Sequence, residues 1–274
     1  RNIGSIRNSG FELQLDGRII DRAVKWDLGV NFSLNRSKVL VLSEDKDIFG
    51  GELDNTILKD QLNLMRVGEP MYVFYGYVED GYDENGHIVY KNMDDDPAIT
   101  AADKTIIGDP NPDFLVNLTT AVSYKGFTLS AFFQSSIGND IYSLSMAAQA
   151  YDYGYNGNTL REVYYNHWTP ENPTAKYPNL DQTSYKMSDR FVYDGSFVRL
   201  KNLELAYDVP CARSKFIKRA RVYVSAQNLF TITSYPFWDP DINANGGGSS
   251  MIQGVDSYCY PSARTYTIGC RLTF

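Results

Sequence analysis

Hydrophobic and polar residues alternate in steps of two along several stretches of this chain. In residues 263–274, Tyr266, Ile268, Cys270, Leu272 and Phe274 fall on one face, and Ala263, Thr265, Thr267, Gly269, Arg271 and Thr273 on the other. Successive strand side chains point to opposite faces, so this period predicts a strand with one apolar and one polar side. Phe11, Leu13 and Leu15 predict a first strand, with Asp16 and Gly17 opening a turn. Val24, Trp26, Leu28, Val30, Phe32 and Leu34 predict the second. Phe114 to Tyr124, the Lys125-Gly126 turn and Phe127 to Gln134 form a predicted hairpin. A strand over 191–207 changes phase after Leu200, which calls for a bulge near Lys201 and Asn202. A further strand is expected over 219–231.

The connectors alternate in length: short near Gly17, long over 36–112, short at Lys125-Gly126, long over 135–190, shorter over 208–218 and long over 234–262. Within the first long connector, 72–77 and 87–90 are expected to pair around the Asp83 to Gly86 turn. A sandwich has no reason to keep all its long loops at one end. An outer-membrane β-barrel does, with short periplasmic turns, long extracellular loops, an apolar outer face and a wet inner face. Seven strands are too few to close a wide barrel, and open edges are not tolerated in lipid. The fold class expected is therefore all-β, a transmembrane antiparallel barrel, with this chain as the C-terminal arc of a larger one. Glu12, Gln14, Lys25, Asp27, Asn31, Arg199, Lys201 and Arg271 are then expected to face the lumen, against water or a plug.

Composition fits this reading. The chain has 274 residues with 21 Tyr and 21 Gly, and a net charge of −7 that argues against a nucleic-acid partner. No apolar run is long enough for a spanning helix. A mean hydropathy of −0.35 does not oppose a barrel, because only alternate strand residues meet lipid. Cys211, Cys259 and Cys270 do not form a disulfide framework and are read as small buried residues. Residues 1–10 resemble the approach to a strand, without signal-peptide character.

Six ordered phrases carry a family resemblance. They begin at Gly108 (Gly-Asp-Pro-Asn-Pro-Asp-Phe), Tyr124 (Tyr-Lys-Gly-Phe) and Trp168 (Trp-Thr-Pro-Glu-Asn-Pro). The others begin at Gly195 (Gly-Ser-Phe-Val-Arg-Leu-Lys-Asn-Leu), Val222 (Val-Tyr-Val-Ser-Ala-Gln-Asn-Leu-Phe) and Tyr260 (Tyr-Pro-Ser-Ala-Arg-Thr-Tyr-Thr-Ile-Gly). Together they resemble the C-terminal part of SusC/RagA-family TonB-dependent outer-membrane transporters. The resemblance implies a barrel of about 22 strands that is plugged by an N-terminal domain absent from this chain. It implies TonB-coupled import of oligosaccharides or peptides, a SusD-like surface lipoprotein as lid, and location in the outer membrane of a Gram-negative bacterium. It also implies contact with outer-membrane lipids and with the remainder of the same barrel. The terminal Phe274 resembles a barrel-assembly signal and is equally an ordinary rim aromatic.

Two loop features carry candidate chemistry. Asn92, Asp94, Asp96, Ala98 and Asp103 sit at positions 1, 3, 5, 7 and 12 of a Ca2+-loop spacing, with Thr100 at position 9. Pro97 stands where a glycine turn is expected, and Asp103 where a longer Glu is usual. An acidic solvated loop is the competing reading, and otherwise no cofactor is expected. Tyr151, Tyr153, Tyr155 and Trp168, with Tyr164, Tyr165 and His167, suit either stacking on sugar rings or packing of loop and lid. Trp238, beside Tyr235, Phe237 and Asp239, carries the same two readings. His87 and His167 lack the partners of a catalytic or zinc site, and no hydrolase, zinc-protease or nucleotide-loop motif appears. A non-enzymatic transporter is expected. The alternatives are a soluble carbohydrate-binding β-sandwich and a barrel enzyme or adhesin.

Overall fold

A computed structural model describes residues 4–54, 58–151, 158–211, 216–242 and 251–274. Seven antiparallel strands form one sheet in chain order: β1 (Gly4–Asp21), β2 (Val24–Leu42), β3 (Phe114–Tyr124), β4 (Phe127–Ile137), β5 (Phe197–Val209), β6 (Arg219–Thr233) and β7 (Thr265–Thr273). Each strand pairs with its neighbour in sequence, so the sheet is a simple meander. The β1–β2, β3–β4 and β5–β6 links lie at one end and the long connectors at the other.

The register gathers apolar residues into rows across the sheet. Trp26, Val122, Leu129, Leu205, Val224 and Ile268 lie side by side on six successive strands. One row nearer the short turns are Val24, Tyr124, Phe127, Tyr207, Val222 and Cys270. These rows are largely bare: Leu205 is 45% exposed, Val224 46% and Ile268 87%. A soluble sandwich would cover such a face with a second sheet, and no such layer is present among the described residues. Hydrocarbon is the solvent that suits it.

Aromatic groups mark both margins of this face. Phe127 and Tyr207 lie 4.5 Å apart at the short-turn end. Phe32 packs 6.3 Å from Phe11 and 5.8 Å from Phe114 at the other end. From Phe114 to Tyr124 the strand rises by ~33 Å, or by ~25 Å of height once it tilts by roughly 40°, the height of an outer-membrane apolar band. Within the band, the Trp26 indole donates to Thr120 Oγ1 at 2.9 Å, so neither polar atom meets lipid unpaired.

The opposite face is polar. One of its rows runs Asp27, Ala121, Ser130, Glu204, Ser225 and Thr267. Both hairpin residues Lys125 and Gly126 have positive φ, at 48° and 87°, the geometry of a two-residue turn that matches strand twist.

Four expectations are corrected. Asp16 and Gly17 do not turn: they pair with Gly29 and Leu28 inside β1. That strand continues through an irregularity at Ile19 and ends at Asp21, leaving 22–23 as the turn. The phase change in β5 is where it was expected, with a shift around Lys201 against both neighbours. However, β5 begins at Phe197, and Val192–Asp194 pairs elsewhere, with Asp140–Ser143. The paired segments of the first connector are Glu79–Tyr82 and Ile88–Tyr90, while Val73–Gly76 joins a different sheet. The cysteines are also not buried: Cys270 is exposed on the apolar face, and Cys211 and Cys259 are half-buried.

Lysine at Leu203, on the apolar face nearer mid-strand and four residues from Tyr207 at the rim, is expected to destabilise the full-length barrel in lipid vesicles by ~2–4 kcal/mol. Lysine at Ser225, next along β6 to Val224 but on the polar face, is expected to cost little. Equilibrium unfolding in urea compares the two, and equal losses would contradict the assignment of faces.

Candidate functional site in a folded loop cap

The long connectors do not hang free. They fold against each other into a cap with its own apolar core, and most of the chain's buried hydrophobic residues are there. Leu62 and Phe74 come from the first connector, Tyr142, Leu144 and Phe191 from the second, and Val255 from the third. Four short sheets order the connectors: 105–108, 73–76, 63–65 and 48–49 in one, 52–54 with 59–61 in a second and 79–82 with 88–90 in a third, all within the first connector, while 192–194, 140–143 and 255–256 join the second connector to the third. Helix α1 (Leu144–Tyr151) is rich in good helix formers and buried on nearly every side.

Buried polar groups lock the cap internally. The Asp256 carboxylate accepts from the Tyr235 hydroxyl at 2.6 Å, the Ser145 hydroxyl at 3.1 Å and the Cys259 N–H at 3.1 Å. Burial raises the Tyr235 phenol well above its ordinary value, and its bond to Asp256 adds to this. Glu79 accepts from Arg190 Nε at 2.7 Å and from the Ser188 hydroxyl at 2.6 Å, joining first connector to second.

Arg199 ties the third connector to the sheet. Arg199, on the polar face of β5, is 1% exposed. It pairs with Asp239, lies 3.2 Å from Asp241, and donates from Nε to Thr231 Oγ1 at 2.9 Å. The expectation of a lumen-facing charge against water or a plug is therefore corrected: the third connector folds its carboxylates down onto Arg199. Asp239 also accepts from the N–H groups of Ser262 and Asp241. Burial pushes the Asp239 carboxyl up, but these N–H groups and the guanidinium more than offset it, leaving its pKa below the ordinary range.

The aromatic candidates divide by exposure. Tyr151 is buried, stacked on Tyr185 at 3.8 Å and edge-on to Phe191 at 5.1 Å, so its ring belongs to the cap core and offers no face to a ligand. Tyr153 and Tyr155 lie outside the described residues. Trp168 is half-buried over Gly86, where a Cβ would come within 2.2 Å of the indole; with its φ of +79°, that turn position needs glycine twice over. Trp238 is 59% exposed and stacks on Phe237 at 4.9 Å and 15°. The pair borders a cavity of about 430 Å³ that also touches Arg199, Thr231 and Arg264. Tyr164 and Tyr165 are exposed, edge to face at 5.0 Å. His87 sits 2.9 Å from Asp181, and His167 Nδ1 lies 2.9 Å from the Tyr164 carbonyl.

The acidic loop is a ladder of side-chain to backbone bonds. Asn92, Asp94 and Asp96 accept from the N–H groups of Asp94, Asp96 and Ala98 at 3.1, 2.9 and 3.0 Å. Asp103, fully buried, accepts from Met93 and Thr100 at 2.7 Å each, and these bonds hold its pKa below the ordinary carboxylate value. Among the described residues, no group of three or more His, Cys, Asp or Glu is placed to hold a metal ion.

No protein-family model matches the sequence. Among curated relatives, TonB-dependent receptor P3 of Formosa agariphila is 32% identical over 296 residues, covering all of this chain and 29% of the receptor. TonB-dependent receptor SusC of Bacteroides thetaiotaomicron is 28% identical over 285 residues, again covering all of this chain and 27% of the receptor. Among solved structures, the RagAB peptide importer in its closed-closed state matches with a TM-score of 0.81 and 26% identity, over 100% of this chain and 30% of that one. The chain thus spans about three tenths of the length of the relatives it matches.

Because the Asp239 pKa is depressed, its share of stability is present above the unfolded value of ~3.9 and is lost as pH falls through the folded value. Proteolytic protection of 234–264 in the full-length protein is expected to fall below about pH 4. In Asp239→Ala/Asp241→Ala it is expected to be low at neutral pH, since removing both carboxylates strands the buried Arg199 charge at a cost of roughly 3–5 kcal/mol. Wild-type protection that does not vary with pH would contradict this. Sequence and fold together match this chain to a barrel segment of the SusC/RagA-family TonB-dependent transporters.

Proposed function

We propose that the chain supplies part of the barrel wall and the outer cap of an outer-membrane importer that takes up oligosaccharides or peptides by TonB-coupled active transport. The observation that carries this is the combination of a bare apolar outer face with a folded cap at one end only. The relatives are named as TonB-dependent receptors and a peptide importer, which supports the same reading and names no enzyme.

In this proposal residues 1–274 form one barrel portion, while the plug and the TonB-contacting segment belong to other parts of the full-length protein. The free edges of β1 and β7 pair with further strands of the same barrel, because unpaired backbone does not persist in lipid. A SusD-like lipoprotein sits over the cap, and the exposed Tyr164, Tyr165 and Trp238 are the aromatics available to it or to substrate. Trp168 stays a candidate through its open side only. No covalent step is involved and no cofactor is needed.

Uptake of labelled oligosaccharides and peptides by cells carrying the full-length protein tests the reading. Uptake is expected to vanish both on deletion of the protein and on deletion of TonB. Uptake that survives TonB deletion would refute active transport. The oxygen-rich 92–103 loop allows a separate calorimetric test: one-to-one heat with Ca2+, lost in Asp94→Asn/Asp96→Asn, would assign a cation there, and no heat would leave these side chains as a backbone ladder.

A further inference from the structure

The outward face of β1 and β2 changes character at its long-connector end. The two strands pair without irregularity from Ile6 with Val39 to Arg18 with Asp27. Period two therefore carries the lipid-facing series upward along both. On this face Phe11 pairs with Leu34, Ser9 with Arg36 and Arg7 with Lys38. Residues of the other phase point inward: the Ser37 hydroxyl accepts from the Met71 N–H at 3.2 Å, and Val39 is buried in one cluster with Met65. Phe11, Phe32 and Phe114 mark the aromatic margin of the apolar face. From Phe11 and Leu34, strands tilted by roughly 40° climb ~5 Å to Arg36 and ~10 Å to Arg7 and Lys38. These cations thus stand just above the hydrocarbon edge, at the depth of lipid headgroups.

Their charges are not balanced within the chain. Arg7 and Lys38 are direct cross-strand partners of the same sign. Such side chains leave the sheet ~5 Å apart, and like charges in this position destabilise the pairing. Arg36 is answered by Asp113 at 2.6 Å. Arg7 and Lys38 are exposed, and neither has an ion-pair or hydrogen-bond partner among the described residues. A chain with a net charge of −7 leaves these two cations unanswered on its outer wall.

We propose that Arg7 and Lys38, flanked by Arg36, bind the phosphorylated headgroup of an outer-leaflet lipid. Long connectors lie at the extracellular end of an outer-membrane barrel, which places the three residues in that leaflet. A guanidinium forks onto two phosphate oxygens, and an ammonium beside it adds a point charge. One phosphate between Arg7 and Lys38 turns their repulsion into two attractions. The acyl chains of the same lipid then descend over Phe11 and Leu34, a contact that a soluble anion does not make. The apolar stems of Arg and Lys lie along the wall while their charged ends stay at the headgroups. The proposal uses the barrel wall alone and is independent of the imported substrate. A carboxylate on the strand that adjoins β1, or on a lid protein, is the competing partner, and the test includes it.

The full-length protein is placed in nanodiscs carrying lipid A or dephosphorylated lipid A. Heat-modifiable gel migration follows thermal unfolding and checks that each variant is a folded barrel. Native mass spectrometry measures the lipid retained. Lipid A is expected to raise the unfolding midpoint of the wild type above that in the dephosphorylated lipid. Arg7→Gln/Lys38→Gln is expected to lose this difference and to bind lipid A roughly tenfold or more weakly. In dephosphorylated discs it is expected to be at least as stable as the wild type, because the repulsion is gone. Arg7→Lys/Lys38→Arg keeps both charges and is expected to behave as the wild type. Equal stabilisation of the wild type by the two lipids would overturn the proposal, as would equal stabilisation by inorganic phosphate alone. So would unchanged lipid A affinity in the folded glutamine variant, the result expected if a protein carboxylate already neutralises the pair. A full-length protein that does not enter the discs would remove the wall and the proposal together.

Discussion

Backbone polar groups inside hydrocarbon must be satisfied within the protein, and everything else in this chain is arranged around that requirement. A meander of strands meets it with the fewest long connections, since each strand bonds to the one before and the one after. Alternation then follows, because a strand lying between lipid and water must send every second side chain each way. The Trp26–Thr120 bond shows how strict the condition is, since even a side-chain donor on the apolar face has its acceptor one strand away.

The same constraint divides the molecule energetically. The sheet buries little of its outer face within the protein, and its apolar free energy is realised only in a bilayer. The cap is built like a small soluble protein, with a packed core of Leu, Phe and Tyr and half-buried pairs such as Arg190–Glu79. Arg199 bridges the two regimes. It belongs to a strand but is neutralised by a loop, so strand register and the position of the third connector are coupled through one guanidinium.

The strands were legible in the sequence because period two survives in any environment that has two sides. Even the β5 irregularity showed, as Leu200 and Leu203 break step. Ends were less legible: Asp16-Gly17 carries turn residues, yet the pairing partners Gly29 and Leu28 hold them in a strand. The cap was not legible, because its contacts link residues far apart in sequence, such as Asn63 with Gln253 and Tyr235 with Ser143. Tyr151 suits either a sugar platform or loop packing by composition and packs in the core, since tyrosine serves both roles and only tertiary contacts decide.

Cysteine scanning of β7 in the full-length protein in lipid vesicles tests the central claim most directly. A fluorescent label is placed at each position from Thr265 to Thr273 on a background without the other cysteines, Cys270 serving as its own site. A lipid-phase quencher is expected to act on labels at 266, 268, 270 and 272, and a water-soluble quencher on those at 265, 267, 269, 271 and 273. Uniform response to the water-soluble quencher along the strand would contradict a membrane-spanning wall.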